Sequence, residues 1–189
     1  LCLAYLMALD TEDRQTLCLA LYREATTMTD SIAALSLLAD SSSDQREAIF
    51  AEFYKKWAGN ALVVNKWLAI QVGSTRPDTL ACVRKLLVHP GFDLRNPNKV
   101  YALLGSFAGN AVHFHAADGS GYALLAEHIL ALDPMNAQVA ARMAGPFARW
   151  RRYDPARRAL MQDVLTRISN TPGVSRDVFE IVIKSLKSE

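Results

Sequence analysis

The sequence predicts an all-α protein, built as a superhelix or solenoid of antiparallel helix pairs. Three observations predict it. Apolar residues recur at helical spacing in nearly every segment, start and stop signals punctuate the chain at short intervals, and no segment sustains a period-two alternation rich in β-branched residues. In DQREAIFAEFYKKW, Ile49, Phe50, Phe53 and Trp57 fall near one helical face, while Arg46, Glu52 and Lys56 fall nearer the other. DTLACVRKLLV places Leu80, Val83, Leu86 and Leu87 together, and PARRALMQDVLTRIS does the same for Leu160, Val164, Leu165 and Ile168.

Helix starts are expected at Asn96-Pro97, Asp133-Pro134 and Asp154-Pro155. Each pairs an N-capping side chain with a proline whose missing N–H is harmless in the first turn. Ser42 and Gln45 have the spacing of a capping box. Stops are expected at Ala58-Gly59-Asn60 and His89-Pro90-Gly91. The chain divides into roughly ten helices joined by short connections, which makes sequential helices antiparallel neighbours. Residues 1–189 are read as a single all-helical domain without an exact fixed-period repeat.

About half of the 189 residues are hydrophobic, which supplies a sizeable core. A net charge of +2 gives no general drive toward nucleic acid or an anionic membrane, and no apolar run is long enough to span one. Cys2, Cys18 and Cys82 are widely spaced within apolar runs, the pattern of buried free thiols in a reducing, cytoplasmic compartment. LCLAYLMALD is apolar at once and lacks the basic start of a secretory signal, so the chain reads as the C-terminal part of a longer protein.

Four features could carry chemistry. FHAADGSGY, residues 114–122, gathers His115, Asp118 and Ser120, but GSG is too short for a nucleophile elbow and no strand precedes it. Its expected role is a loop in which Asp118 or Ser120 caps the next helix and Gly119 and Gly121 relieve the turn. His113 and His115 would point to different faces of a helix and are read as loop or surface residues, not metal ligands. The arginines of RWRRYDPARR (Arg149, Arg151, Arg152, Arg157 and Arg158) suit a solvated helix end better than a phosphate-binding face. In DPMNAQVAARMAGPFARW, Val139, Met143, Phe147 and Trp150 form an apolar stripe, and Pro146 should kink the helix. Gln138, Arg142, Gly145 and Arg149 share another face beside Ala141, where an amide and a guanidinium could hold a peptide carbonyl or carboxylate. No catalytic residue and no metal ligand is assigned.

Several blocks carry a resemblance. TMTDSIAALS at 27–36, NKWLAIQ at 65–71, NPNKVYALLGSFAGN at 96–110, FHAADGSGY, and NAQVAARM followed by RRYD to residue 154 resemble the C-terminal domain of bacterial aminopeptidase N. That family comprises gluzincin-type zinc metallo-aminopeptidases, and the similarity covers the whole chain in order and spacing. It implies an all-helical, ARM- or HEAT-like superhelix that caps an upstream catalytic domain and lines a cavity for short peptides. The zinc-binding HExxH and the amine-gripping GAMEN motif lie upstream in the family, so one zinc ion is expected there and no cofactor in this segment. The segment alone is expected to be inactive, with no nucleic-acid or membrane partner. The resemblance gives Gln138 and Arg142 a cavity-lining role. It also places Tyr101 on the cavity lining as a departure, since relatives read NPNRIR, with a basic residue facing the cavity, where this chain reads NPNKVY. The alternative is a stand-alone HEAT-like module that binds protein or nucleic acid through its concave face.

Overall fold

A computed structural model describes residues 2–187, and these residues fall into two compact units that divide between Leu86 and Leu87. The described residues form thirteen α-helical segments, one π-helical turn and one 3₁₀ stretch, with no strand among them. The all-α prediction holds. The segments outnumber the expected ten because some helices are single turns and two longer rods change type partway.

The first unit contains α1 (Cys2–Met7), α2 (Glu12–Glu24), α3 (Met28–Asp40), α4 (Arg46–Trp57), α5 (Ala61–Val72) and all but the last residue of α6 (Thr79–Leu87). Short connections fold α2 against α3 and α4 against α5, and α3 also packs on α5. Their apolar faces meet in a core that includes Cys18, Leu35, Leu38, Phe53, Leu68 and Val72. Trp67 joins α5 to α4 by donating its indole N–H to the carbonyl of Phe50 at 2.8 Å. Caps match composition: the side chain of Thr27 accepts from the Asp30 amide, and that of Asn60 from the Val63 amide.

Three expectations in this unit change. Arg46 is buried, not solvated: its Nε donates to the Ala39 carbonyl at 3.0 Å and its Nη1 reaches Asp78 at 3.4 Å. A buried guanidinium is tolerated because those acceptors replace its water. The Ser42–Gln45 capping box does not form, because the Ser42 amide donates to the Asp10 carboxylate and its hydroxyl accepts from Gln15. Cys2 is exposed, whereas burial pushes the Cys18 thiol up to about 11 and so leaves it inert.

The second unit begins with one helical rod made of α7 (Pro97–Val100), a π-helical turn (Tyr101–Gly105) and α8 (Ser106–Ala108). There follow α9 (Ala111–Phe114), α10 (Ser120–Leu132), α11 (Ala137–Ala144), a 3₁₀ stretch (Gly145–Arg152), α12 (Pro155–Ser169) and α13 (Arg176–Lys187). Asn96 and Asp154 cap their proline-led helices as expected. Asp133-Pro134 does not start a helix. Asp133 is instead the C-cap of α10, its amide donating to the Ile129 carbonyl, and its buried carboxylate accepts from the amide and hydroxyl of Ser175. Asn136 caps α11 instead, accepting from the Val139 amide. At Pro146 the missing N–H does not merely bend the rod; the backbone changes from α to 3₁₀.

The core of this unit centres on Phe114, whose ring lies 5.2 Å from Tyr122, 5.8 Å from Phe147 and 6.1 Å from Phe107. Gly121 lets α10 reach that ring cluster. A Cβ at this position would lie 2.5 Å from both the His113 and Phe114 carbonyl oxygens. Because both obstacles are backbone, Gly121→Ala is expected to destabilise the chain by about 1–3 kcal/mol. Gly59→Ala, which faces open space, is expected to stay within about 0.5 kcal/mol of wild type. Urea unfolding of the two variants checks this, and equal midpoints would mean that the helix crossing accommodates a side chain.

Candidate functional site

The stripe of Val139, Met143, Phe147 and Trp150 is buried along the 137–152 rod. Its burial leaves Gln138 and Arg142, roughly 100° round the helix from Val139 and Met143, facing outward one turn apart on α11, both exposed. Tyr101 approaches from the π-helical turn, where one extra residue per turn alters the register of the side chains that follow. Its hydroxyl lies 3.3 Å from the Arg142 Nη1, and the guanidinium carbon sits 5.7 Å from its ring centroid. The structure therefore brings together two of the three residues singled out in the sequence, Tyr101 and Arg142, in direct contact. Gln138 lies beside them without a hydrogen bond among the described residues.

Gln138, Ala141 and Arg142 form one wall of an open depression of about 500 Å³, and Asp177, Glu180 and Ile181 of α13 form the other. The second wall was not anticipated. Its residues lie more than thirty positions downstream, and only the amphipathic pattern of α13, with Val178, Val182 and Ser185 buried, hints at which side they occupy. Glu180 accepts from the Arg176 Nε at 2.6 Å. Asp177 makes no ion pair among the described residues. The depression thus offers an amide, a guanidinium, carboxylates and two apolar side chains within reach of one small ligand.

FHAADGSGY forms no triad. His115 Nδ1 lies 2.8 Å from the Tyr122 hydroxyl and its Nε2 lies 2.9 Å from the Tyr153 hydroxyl, so both ring nitrogens have partners and neither is Ser120. The N-cap of α10 is Gly119, not Asp118 or Ser120; Asp118, one residue earlier, accepts from the Ser120 amide at 3.0 Å and its hydroxyl at 2.7 Å. Gly119, at φ 72°, supplies the left-handed turn. His115 lies part-buried in the loop after α9, whereas His113 sits in α9 itself, part-buried with its Nε2 buried and unpartnered. Among the described residues no group of three His, Cys, Asp or Glu side chains is placed to hold a metal ion. The residues present do not fit a zinc site.

A second depression of about 570 Å³ is lined by His115, Tyr153, Asp154 and Arg157 among others. Its polar groups are engaged with one another: Arg157 bridges the Asp154 carboxylate at 2.9 Å and the His115 carbonyl at 2.6 Å. The neighbouring arginines are used in the same way. Arg151 lies 4.1 Å over Trp150 and donates to the Ser185 and Leu186 carbonyls at the end of α13, and Arg158 donates to the Tyr153 carbonyl. These contacts engage Arg151, Arg157 and Arg158 within the fold, while Arg149 and Arg152 stay exposed. No helix among the described residues is long and apolar enough to cross a membrane.

A family model described as "Domain of unknown function (DUF3458_C) ARM repeats" matches residues 1–187. The chain belongs to this family. Aminopeptidase N of Haemophilus influenzae is 40% identical over 169 residues, covering 88% of this chain and 19% of that protein. Aminopeptidase N of Escherichia coli is 38% identical over 186 residues, covering 98% of this chain and 21% of that protein. Among solved structures, Legionella pneumophila aminopeptidase A in complex with aspartic acid matches with a TM-score of 0.92 and 37% identity, over 98% of this chain and 22% of that one. The chain spans about a fifth of the length of the curated relatives it matches. The resemblance to aminopeptidase N extends over nearly all of it, and the ARM-repeat description agrees with the packed helix pairs.

Burial, and secondarily the positive Arg157, lowers the His115 pKa below its ordinary value of 6.5, so the folded state favours neutral imidazole. The unfolded chain binds the proton more readily, so the contribution is full above pH 6.5 and is lost as pH falls through the depressed folded value. Urea midpoints of the wild type are expected to decline as pH falls below 6.5, with a shallower decline in His115→Gln. Parallel profiles for the two proteins would show that His115 titrates alike in both states.

Proposed function

We propose that this chain is the C-terminal helical domain of a zinc-dependent aminopeptidase N, which removes N-terminal residues from peptides. In this role it caps an upstream catalytic domain, lines the peptide cavity and carries no catalytic centre of its own. The zinc ion belongs to the upstream domain, and the hydrolytic step lies outside this chain. The observation that carries the proposal is the identity of 37–40% with proteins named aminopeptidases over nearly the full chain. The exposed Gln138–Arg142 face supports it from the side of the geometry. Cytoplasmic residence fits the three free cysteines.

Within that role Gln138 and Arg142 do the binding work. The Gln138 amide can donate to a peptide carbonyl and accept from a peptide N–H, and the Arg142 guanidinium can pair with a free C-terminal carboxylate. Tyr101 replaces a cationic neighbour with a neutral phenol, which leaves Arg142 as the main positive charge of the wall.

In the full-length enzyme, Arg142→Ala is expected to lower kcat/KM for tri- and tetrapeptides about three- to tenfold, mostly through KM, as loss of an exposed charge-assisted contact implies. A length dependence unchanged from wild type would remove Arg142 from the cavity. The isolated segment, assayed with aminoacyl arylamides and added zinc, is expected to show no turnover. Turnover that co-purifies with the segment would contradict the division of labour.

A further inference from the structure

The depression between α11 and α13 carries opposite charges on its two walls with no ion pair across it. Arg142 stands on α11, Asp177 and Glu180 on α13, and all three line the same 500 Å³. Long flexible side chains of opposite charge in one open depression readily close on each other, with little cost beyond side-chain entropy. Here the guanidinium is held elsewhere, 3.3 Å from the Tyr101 hydroxyl and over its ring. Glu180 is taken by Arg176, one turn earlier on its own helix. Asp177 is left without an ion pair among the described residues, and Ile181, 37% exposed, lies beside it with Ala141 opposite.

We infer that Tyr101 is a positioning residue that keeps Arg142 off the α13 carboxylates, so that this groove selects peptides whose C-terminal residue carries a cationic side chain. The peptide carboxylate meets Arg142, the cation meets Asp177, and the aliphatic stem of the lysine or arginine lies over Ala141 and Ile181. A collapsed Arg142–Asp177 pair would offer neither charge. This inference rests on the proposal above that the groove faces the peptide cavity.

The test uses the full-length enzyme and three peptides: Ala-Ala-Lys, Ala-Ala-norleucine, and Ala-Ala-Lys with an amidated C-terminus. Wild type is expected to favour lysine over norleucine about three- to fivefold in kcat/KM, the size of an exposed charge pair, and to lose that preference in high salt. Asp177→Asn is expected to abolish the lysine preference and keep the preference for free acid over amide. Tyr101→Leu is expected to weaken both preferences through KM. Adding Asp177→Asn and Glu180→Gln to Tyr101→Leu should restore the acid preference, because Arg142 then has no carboxylate to close on. A lost side chain acting only on folding would not give that rescue. An unchanged lysine-to-norleucine ratio in Asp177→Asn, or no rescue in the triple variant, overturns the inference. If Arg142→Ala alters none of the three peptides, it is the cavity role itself that fails.

Discussion

Burial of one stripe, Val139, Met143, Phe147 and Trp150, is the constraint on which the second unit depends. Phe147 enters the Phe114–Tyr122 ring cluster, and Trp150 donates its indole N–H to the Ser185 carbonyl near the end of α13. The same four side chains thus fix the rod's rotation and tie it to α13. Once that rotation is set, Gln138 and Arg142 have only one direction to face. Reversing it would expose two aromatic rings and two aliphatic chains, at about 1.5–3 kcal/mol for each large apolar side chain. The candidate site is therefore a by-product of core packing, positioned more firmly than an exposed pair of polar side chains could be by its own contacts.

Period and punctuation were legible because they are local. The apolar stripe, the stop after Trp57, the caps at Asn96 and Asp154, and the turn at Gly119 all follow from residues within a few positions of each other. What could not be read depends on distant partners. Arg46 looked solvated because nothing nearby in sequence announces Asp78, and Asp133-Pro134 looked like a helix start because its partner Ser175 lies forty-two residues on. His115 is a structural node for the same reason: Tyr153 approaches from thirty-eight residues away. Gln138 and Arg142 were legible as a shared helical face, whereas the α13 wall opposite them required the fold.

The π-helical turn links these themes. A one-residue departure from α geometry at Tyr101–Gly105 has no strong sequence signal, yet it carries the residue that touches Arg142. A Cβ at Gly105 would sit 3.8 Å from the Tyr101 Cβ and 3.9 Å from the Met143 Cε. Those are ordinary van der Waals contacts, so a small residue permits the approach without strain. The phenol therefore reaches Arg142 from a rod packed near the core residue Met143.

Whether α11 faces bound peptide in the intact protein is read by hydrogen exchange on the proposed full-length aminopeptidase with and without a non-hydrolysable peptide. Peptide binding should slow exchange in segments spanning residues 138–142 and 177–181, and leave the loop at 114–122 unchanged. Exchange at 138–142 that is identical with and without saturating peptide would contradict the account and return this face to solvent.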